Sequence, residues 1–373
     1  MVGSLIFWGG PGWDDATIWL YIGISCIAGL CSFLAARSKS VHGLPLSYVL
    51  AVVTLVLFKG LCVSGVDVRF NGGYYLNFSS AVNFSSFRDK SVELGFQILT
   101  TCVRSITDKY EIYLLVTAAL SVVPVMYVFW KLRGRINLPF AVMGYSLIFM
   151  VTGMSAMRQF IAVGLCLLAA YYYLIRRYVP SLVVVALAVS VHLSALCYAL
   201  LLLIALMKGS RKLQLLVAVI VVAAFTVLQG ATGLLLTGRY SIYSLSESTG
   251  FGVAVLLKYV PVLVLLAAAE LHAKKLCPKD SERDIALSYC WSVLLFAICI
   301  ALIGYSIPIL GRAESFSLAI VIVIAYLVRM CEDNRFFRIP VKVLVFLYFC
   351  FRLLLYMNDA HLSEGLMPYQ TWF

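Results

Sequence analysis

Charge is scarce in this chain. Of its 373 residues only 12% are Asp, Glu, Lys or Arg, about half the share of a soluble domain. That leaves too little charge to cover the water-facing shell a soluble fold of this size needs. No Cys-x-x-Cys pair occurs, and the eleven cysteines lie mostly in apolar stretches (Cys26, Cys31, Cys166, Cys197, Cys299, Cys350). This excludes a disulfide framework and a cysteine metal site; the cysteines read as small buried hydrophobes. H-E-x-x-H, G-x-S-x-G and Walker sequences are all missing, so metalloprotease, serine hydrolase and ATPase chemistry lack their motifs. The opening MVGSLIFWGGPGWDD has no basic n-region, so it does not read as a cleaved signal peptide. What the chain has is apolar surface: 63% of residues are hydrophobic, and mean hydropathy is +0.98. A disordered chain is excluded on the same numbers. Lipid is the solvent for most of it.

The net charge of +12 comes from basic residues in pairs and threes between apolar runs. That is the positive-inside pattern of a polytopic membrane protein, and it argues against a nucleic-acid partner. With about 20 apolar residues needed per crossing, spans fall near 17–36, 44–63, 111–130, 138–154, 158–175, 213–231, 251–271, 285–305, 314–330 and 340–357. Eighteen Lys and Arg lie in one set of connections and eight in the other, three remaining inside spans. The richer set is expected to be cytoplasmic, with both termini outside. Residues 179–207 then start and end beside cytoplasmic basic clusters. Two half-length helices that dip in and return satisfy this parity, with the break near Ser190-Val191-His192; a single tilted span is the alternative. The expectation is an all-α polytopic integral membrane protein of about ten full transmembrane helices plus a broken or re-entrant segment, with residues 1–373 forming one membrane domain.

The sizeable extramembrane piece is 64–110. Its first part is rich in Gly, Asn, Ser and aromatics and reads as an ordered loop. In its second part Val92, Phe96, Leu99, Val103 and Ile106 form one apolar stripe, suited to a helix in the membrane interface. The asparagines at 77 and 83 each open an NFSS sequon. Charged residues at membrane depth are functional-site hypotheses by default. Lys59, Lys258 and Arg352 lie close enough to the outer boundary to snorkel, and Glu270 is expected to reach water at the cytoplasmic end of its helix. Each short outer connection holds one Arg and no Lys: Arg158, Arg239 and Arg312. A guanidinium binds phosphate oxygens through two parallel hydrogen bonds, so the three suggest a site for a lipid-linked phosphate or pyrophosphate; anchoring at head groups is the plainer reading. Asp67 and Glu93 should lie near them, although Asp67 also suits a turn and Glu93 a helix N-terminus. His192 is the one histidine inside the apolar region, at the expected break.

These residues resemble a known family, the EpsG-type, Wzy-like polymerases of bacterial O-antigen and exopolysaccharide. The resemblance rests on motifs spaced along most of the chain. They are Gly65-Val66-Asp67 with Tyr74-Tyr75, Glu93-Leu94-Gly95-Phe96, and Met157-Arg158-Gln159 followed by His192-Leu193-Ser194-Ala195. Arg239-Tyr240 with Tyr243, then Arg312, then Pro368-Tyr369 complete the order. Two positions depart from the family pattern: Leu94 stands where Pro is common, and only Phe316 remains of a Tyr-Phe pair after the last Arg.

The resemblance implies a GT-C-like, cofactor-free and metal-independent glycosyltransferase in the bacterial inner membrane. Its substrates would be oligosaccharide repeat units on undecaprenyl diphosphate, joined at the periplasmic face. Arg158, Arg239 and Arg312 are then expected to hold diphosphate, with Asp67, Glu93 and His192 as candidates for the base that activates the acceptor hydroxyl. Tyr74, Tyr75 and Tyr240 are expected to stack on sugars, with interface anchoring as the competing reading. Membrane lipid and a chain-length regulator are the implied partners. A flippase or transporter is the reading from another class, favoured by the broken segment; it lacks paired internal repeats, and its polar residues cluster at one face. An O-antigen ligase is the nearest other enzyme, but its large outer loop usually falls late in the chain.

Overall fold

The computed structural model describes residues 12–38, 43–206, 210–235, 256–276, 281–306, 308–333 and 335–373. Among them there is no strand, only an isolated bridge between Cys62 and Thr371. Seven described helices are long and apolar enough to cross a membrane, including Asp15–Arg37, Tyr110–Leu132, Leu138–Ser155 and Met157–Leu174. Shorter apolar helices occupy Leu46–Leu61, Tyr178–Val191 and Val260–Leu271. Large apolar side chains face outward along them, such as Leu30 and Leu34 on the first helix and Leu344 and Leu347 on the last. Water does not tolerate such faces in this number; a bilayer requires them. The protein is a multi-pass membrane protein.

The chain gathers into two compact units, one running to Leu193 and resuming at Cys331, the other Ser194–Met330. In the first unit, α1 is Asp15–Arg37 and α2 is Leu46–Leu61. Helix α1 starts because Asp14 caps it, accepting from Thr17 N at 3.1 Å, and it carries Asp15 and Arg37 at the dipole ends that suit them. After α2 come the short α3 (Tyr75–Ser80), α4 (Leu94–Ile106) and the long α5 (Tyr110–Leu132). Helix α6 (Leu138–Gly144) widens into a π-helical stretch, Tyr145–Met150, and ends in a last turn, α7 (Thr152–Ser155). Ala156 then leaves helical geometry (φ −129°, ψ 61°), so α8 (Met157–Leu174) begins with fresh, unsatisfied N–H groups. Helix α9 is Tyr178–Val191.

The extramembrane segment has its own aromatic core. Phe78 stacks on Tyr113 with centroids 4.8 Å apart, and Phe87, Phe96 and Tyr110 close round them. Burying each such ring contributes about 1.5–3 kcal/mol. The stripe expected to meet lipid is used here instead: Val92, Phe96 and Val103 are buried in this core with Leu99 against it. Ile106 alone of that set faces out, beside Leu94 and Ile98 on the opposite side of α4. Burial against aromatics of the same segment was the closer sink for those side chains. Asn77 is buried in the same place, which removes one of the two sequons from reach, whereas Asn83 is exposed.

The second unit holds α10 (Tyr198–Leu206), α11 (Arg211–Leu235), α12 (Val260–Leu276), α13 (Ser281–Ser306), the 3-10 segment Pro308–Leu318 and α14 (Ala319–Met330). Gln214 ties three helices by donating to Ser292 Oγ at 2.9 Å and to Ile204 O at 3.3 Å. Glu270 does not reach water: it is buried and accepts from Trp291 Nε1 at 3.0 Å. Lys258 pairs with Glu314, whose other oxygen accepts from Tyr259 OH at 2.9 Å. The chain returns to the first unit through a 3-10 turn, Cys331–Asp333, and α15 (Arg335–Ser363). Lys59 also departs from the snorkelling expectation. It is 7% exposed, its Nζ has no hydrogen-bond partner among the described residues, and it lies 5.2 Å from the Phe160 ring centroid.

Candidate functional site

Three connections of the first unit converge on the start of α8. The loop after α2 arrives first. Gly65 has φ +114°, a conformation side chains resist, and a Cβ there would come within 2.8 Å of Met154 O. This close passage lets Asp67 reach α8, where its Oδ2 accepts from Met157 N at 3.0 Å. Asp67 therefore satisfies the first free N–H of the helix from outside its own chain segment, and its charge complements the helix dipole.

The next residue of α8, Arg158, points at Glu93 and forms an ion pair with its Oε2. Glu93 sits at the N-cap of α4, yet its carboxylate does not cap that helix. It reaches instead to the end of α9, where Oε1 accepts from Leu193 N at 3.1 Å and meets His192 Nδ1 at 3.1 Å. His192 is the residue at which α9 stops: its backbone is extended (φ −154°, ψ 116°). The helix break falls where the sequence places it, with the histidine on it. The side chains of Arg158, Glu93 and His192 are 12%, 19% and 21% exposed, so each is largely sheltered yet still reachable.

Electrostatics keeps Glu93 ionised. Burial raises the Glu93 carboxyl, but the hydrogen bond with His192, the Arg158 charge and the Leu193 N–H outweigh it and hold the group down at about 2. An ionised carboxylate only accepts, so Nδ1 of His192 carries the proton facing it. In the neutral ring Nε2 is then the acceptor, as in a carboxylate-oriented catalytic histidine. Tyr74 borders the cluster. Arg158 lies 5.2 Å from its ring centroid and 5.8 Å from that of Phe96. Burial, with the charge of Asp67, pushes the Tyr74 hydroxyl up, against the opposing effect of Arg158. Its hydroxyl is thus a neutral donor. Tyr75 stands edge-on to Tyr110 with centroids 5.0 Å apart and, like Tyr74, packs against the aromatic core.

The structure thus brings together Asp67, Tyr74, Glu93, Arg158 and His192. Arg239 and Tyr240 lie outside the described residues. Arg312 falls in the 3-10 segment of the second unit, and its side chain is likewise outside them. Among the described residues no group of His, Cys, Asp and Glu could hold a metal ion. Sequence reasoning named Tyr74 but missed one member, Leu193, and one contact. The Leu193 N–H carries no side-chain signal, and the contact of Tyr74 with Arg158 needs the fold to appear. Neither a curated protein nor a solved structure matches the chain significantly. A family model does, over residues 46–371, a range that includes every residue of the cluster; the chain belongs to the EpsG family.

Proposed function

We propose that this polysaccharide-related membrane protein is a polymerase. In this reading it joins undecaprenyl-diphosphate-linked oligosaccharide repeats at the periplasmic face of the inner membrane. The observation that supports it most is the Glu93–His192–Arg158 cluster, in which a histidine oriented by a carboxylate adjoins a guanidinium. His192 Nε2 takes the proton of the acceptor hydroxyl. The acceptor oxygen bonds to the anomeric carbon of the donor glycan. The bond from that carbon to the lipid diphosphate breaks, and the diphosphate leaves with the electron pair.

Each residue has a distinct part. Glu93 is too acidic to be the base and instead orients His192 and stabilises the imidazolium that forms. Arg158 shares its charge between Glu93 and the developing negative charge on the leaving diphosphate, chemistry that needs a positioned cation. Asp67 fixes the start of α8 and so the direction of Arg158. Arg239 and Arg312 are assigned to the second lipid diphosphate, Tyr74 and Tyr240 to the sugars, and a chain-length regulator is the expected protein partner. The GT-C-like architecture belongs to the same proposal.

The test is a gel of surface polysaccharide from the native strain, comparing wild type with Arg158→Ala and His192→Gln at matched membrane abundance. A ladder collapsing to one repeat unit supports the polymerase. Loss of every repeat points to a flippase or a ligase. An unchanged ladder for both variants overturns the site.

A further inference from the structure

The contact that sets this cluster lies two residues along from Glu93. Gly95 occupies the first turn of α4, where it meets the last turn of α9 at Ser190. A Cβ at position 95 would overlap the Ser190 hydroxyl and would lie 2.7 Å from its carbonyl oxygen and 2.8 Å from its carbonyl carbon. Real Cβ atoms do not approach backbone so closely. Turning the Ser190 hydroxyl aside would not relieve the contact, since the backbone carbonyl itself lies in the way. Local structure gives no reason for glycine here, because alanine is the better helix former. Backbone-to-backbone approach is the remaining reason.

The consequence falls on the two residues that flank this contact. Glu93 precedes Gly95 by two positions, and His192 follows Ser190 by two. The distance between the helices at Gly95–Ser190 is therefore the distance across which Glu93 Oε1 reaches His192 Nδ1 and Leu193 N. A separation increased by even half an ångström stretches both 3.1 Å bonds toward the limit of hydrogen bonding, about 3.5 Å. Arg158 comes from α8, a third element, so its contact with Glu93 is less directly tied to this approach.

We infer that Gly95 is a positioning residue of the reaction: by admitting Ser190 against its Cα it sets the Glu93–His192 pair. The inference rests on the reading of His192 as the base. Gly95→Ala keeps α4 helical and moves its first turn off α9. Its rate of joining lipid-linked repeats falls at least tenfold in kcat, with KM changed less than threefold. The decisive readout is a double-mutant cycle. In a Glu93→Gln background, adding Gly95→Ala costs less than twofold, because the pair it disturbs is already gone. An equal loss in both backgrounds would mean a merely structural role and overturn the inference.

A second readout does not depend on activity. With the full chain labelled with 15N-histidine in detergent, the His192 ring resonances are identified by their loss in His192→Gln. They are expected to move in Gly95→Ala to the positions they take in Glu93→Gln. Resonances that stay at the wild-type positions overturn the inference. If Gly95→Ala does not accumulate, Ser190→Leu crowds the same contact from α9 and is read in the same way. Full activity in Glu93→Gln would strike the functional reading, while the ring resonances still decide the geometry.

Discussion

Glu93 holds three partners with two oxygens, and this sets how it responds to acid. Its carboxyl stands at about 2 in the folded protein against an ordinary 4.5. A depressed group stabilises the fold fully above its unfolded value and loses that contribution as pH falls through the folded one. Melting temperature in detergent should therefore decline between about pH 4.5 and pH 2, and Glu93→Gln should flatten the decline across that window. Melts of the two proteins at matched ionic strength check it. A decline of equal steepness in both would show that Glu93 is not ionised in the way described. Arg158 is also more than a point charge here. Its guanidinium lies near the Tyr74 and Phe96 rings while it pairs with Glu93. Lys at this position keeps the charge but loses the planar fork and most of the ring contact. Arg158→Lys is accordingly expected to lose at least tenfold in polymerisation, read from ladder length at matched abundance.

At the scale of elements, the site depends on where helices stop. The π-helical stretch and the break at Ala156 end one membrane helix, and α8 begins anew inside the unit with Arg158 on its first turn. Asp67 is what satisfies that beginning. Replacing an N-cap carboxylate by alanine costs about 1 kcal/mol, so Asp67→Ala should lower the melting temperature by a few degrees and weaken polymerisation. Asp67→Asn keeps an acceptor oxygen for Met157 N and should lose clearly less on both counts. If the two variants behaved alike, the capping bond would not be what Asp67 supplies. The ending of α9 is the counterpart, since His192 is free to meet Glu93 only because the helix has stopped at Val191.

Across the first unit, the chain's last residues fold back onto α1, α2 and the loop after α2. Tyr369 N donates to Thr17 Oγ1 at 2.9 Å, and its hydroxyl donates to Phe58 O at 2.7 Å while the ring stacks on Phe58. Ser64 and Gln370 bond at 2.7 Å, and Val66 N donates to Glu364 O at 3.1 Å. This tail braces the stretch that leads to Asp67. Deleting residues 366–373 should therefore shorten the polysaccharide ladder although none of them lies in the cluster, whereas Tyr369→Phe should cost about 1 kcal/mol of stability and little activity. A truncated protein with a normal ladder would show that the loop holds its shape alone.

Membrane class and the approximate helix positions were legible in the sequence, because lipid imposes a length and a polarity that composition reveals directly. The break at His192 was legible too, from the parity of basic clusters. Other features were not. The stripe on α4 pointed to lipid by its spacing alone, but spacing does not say which apolar neighbour a side chain will meet, and the aromatic core of the same segment claimed it. Lys59 and Glu270 sat near helix ends in one dimension and proved buried in three. Asp67, Glu93 and His192 were equivalent candidates as letters. Only the tertiary structure shows that their surroundings differ, since the N–H groups and cations around each carboxylate come from residues 65 to 100 positions away. The sequence by itself determined the solvent, the helices and the chemical repertoire, which are local properties. The fold alone decided which groups share a proton and a charge, because that depends on distances no stretch of chain encodes.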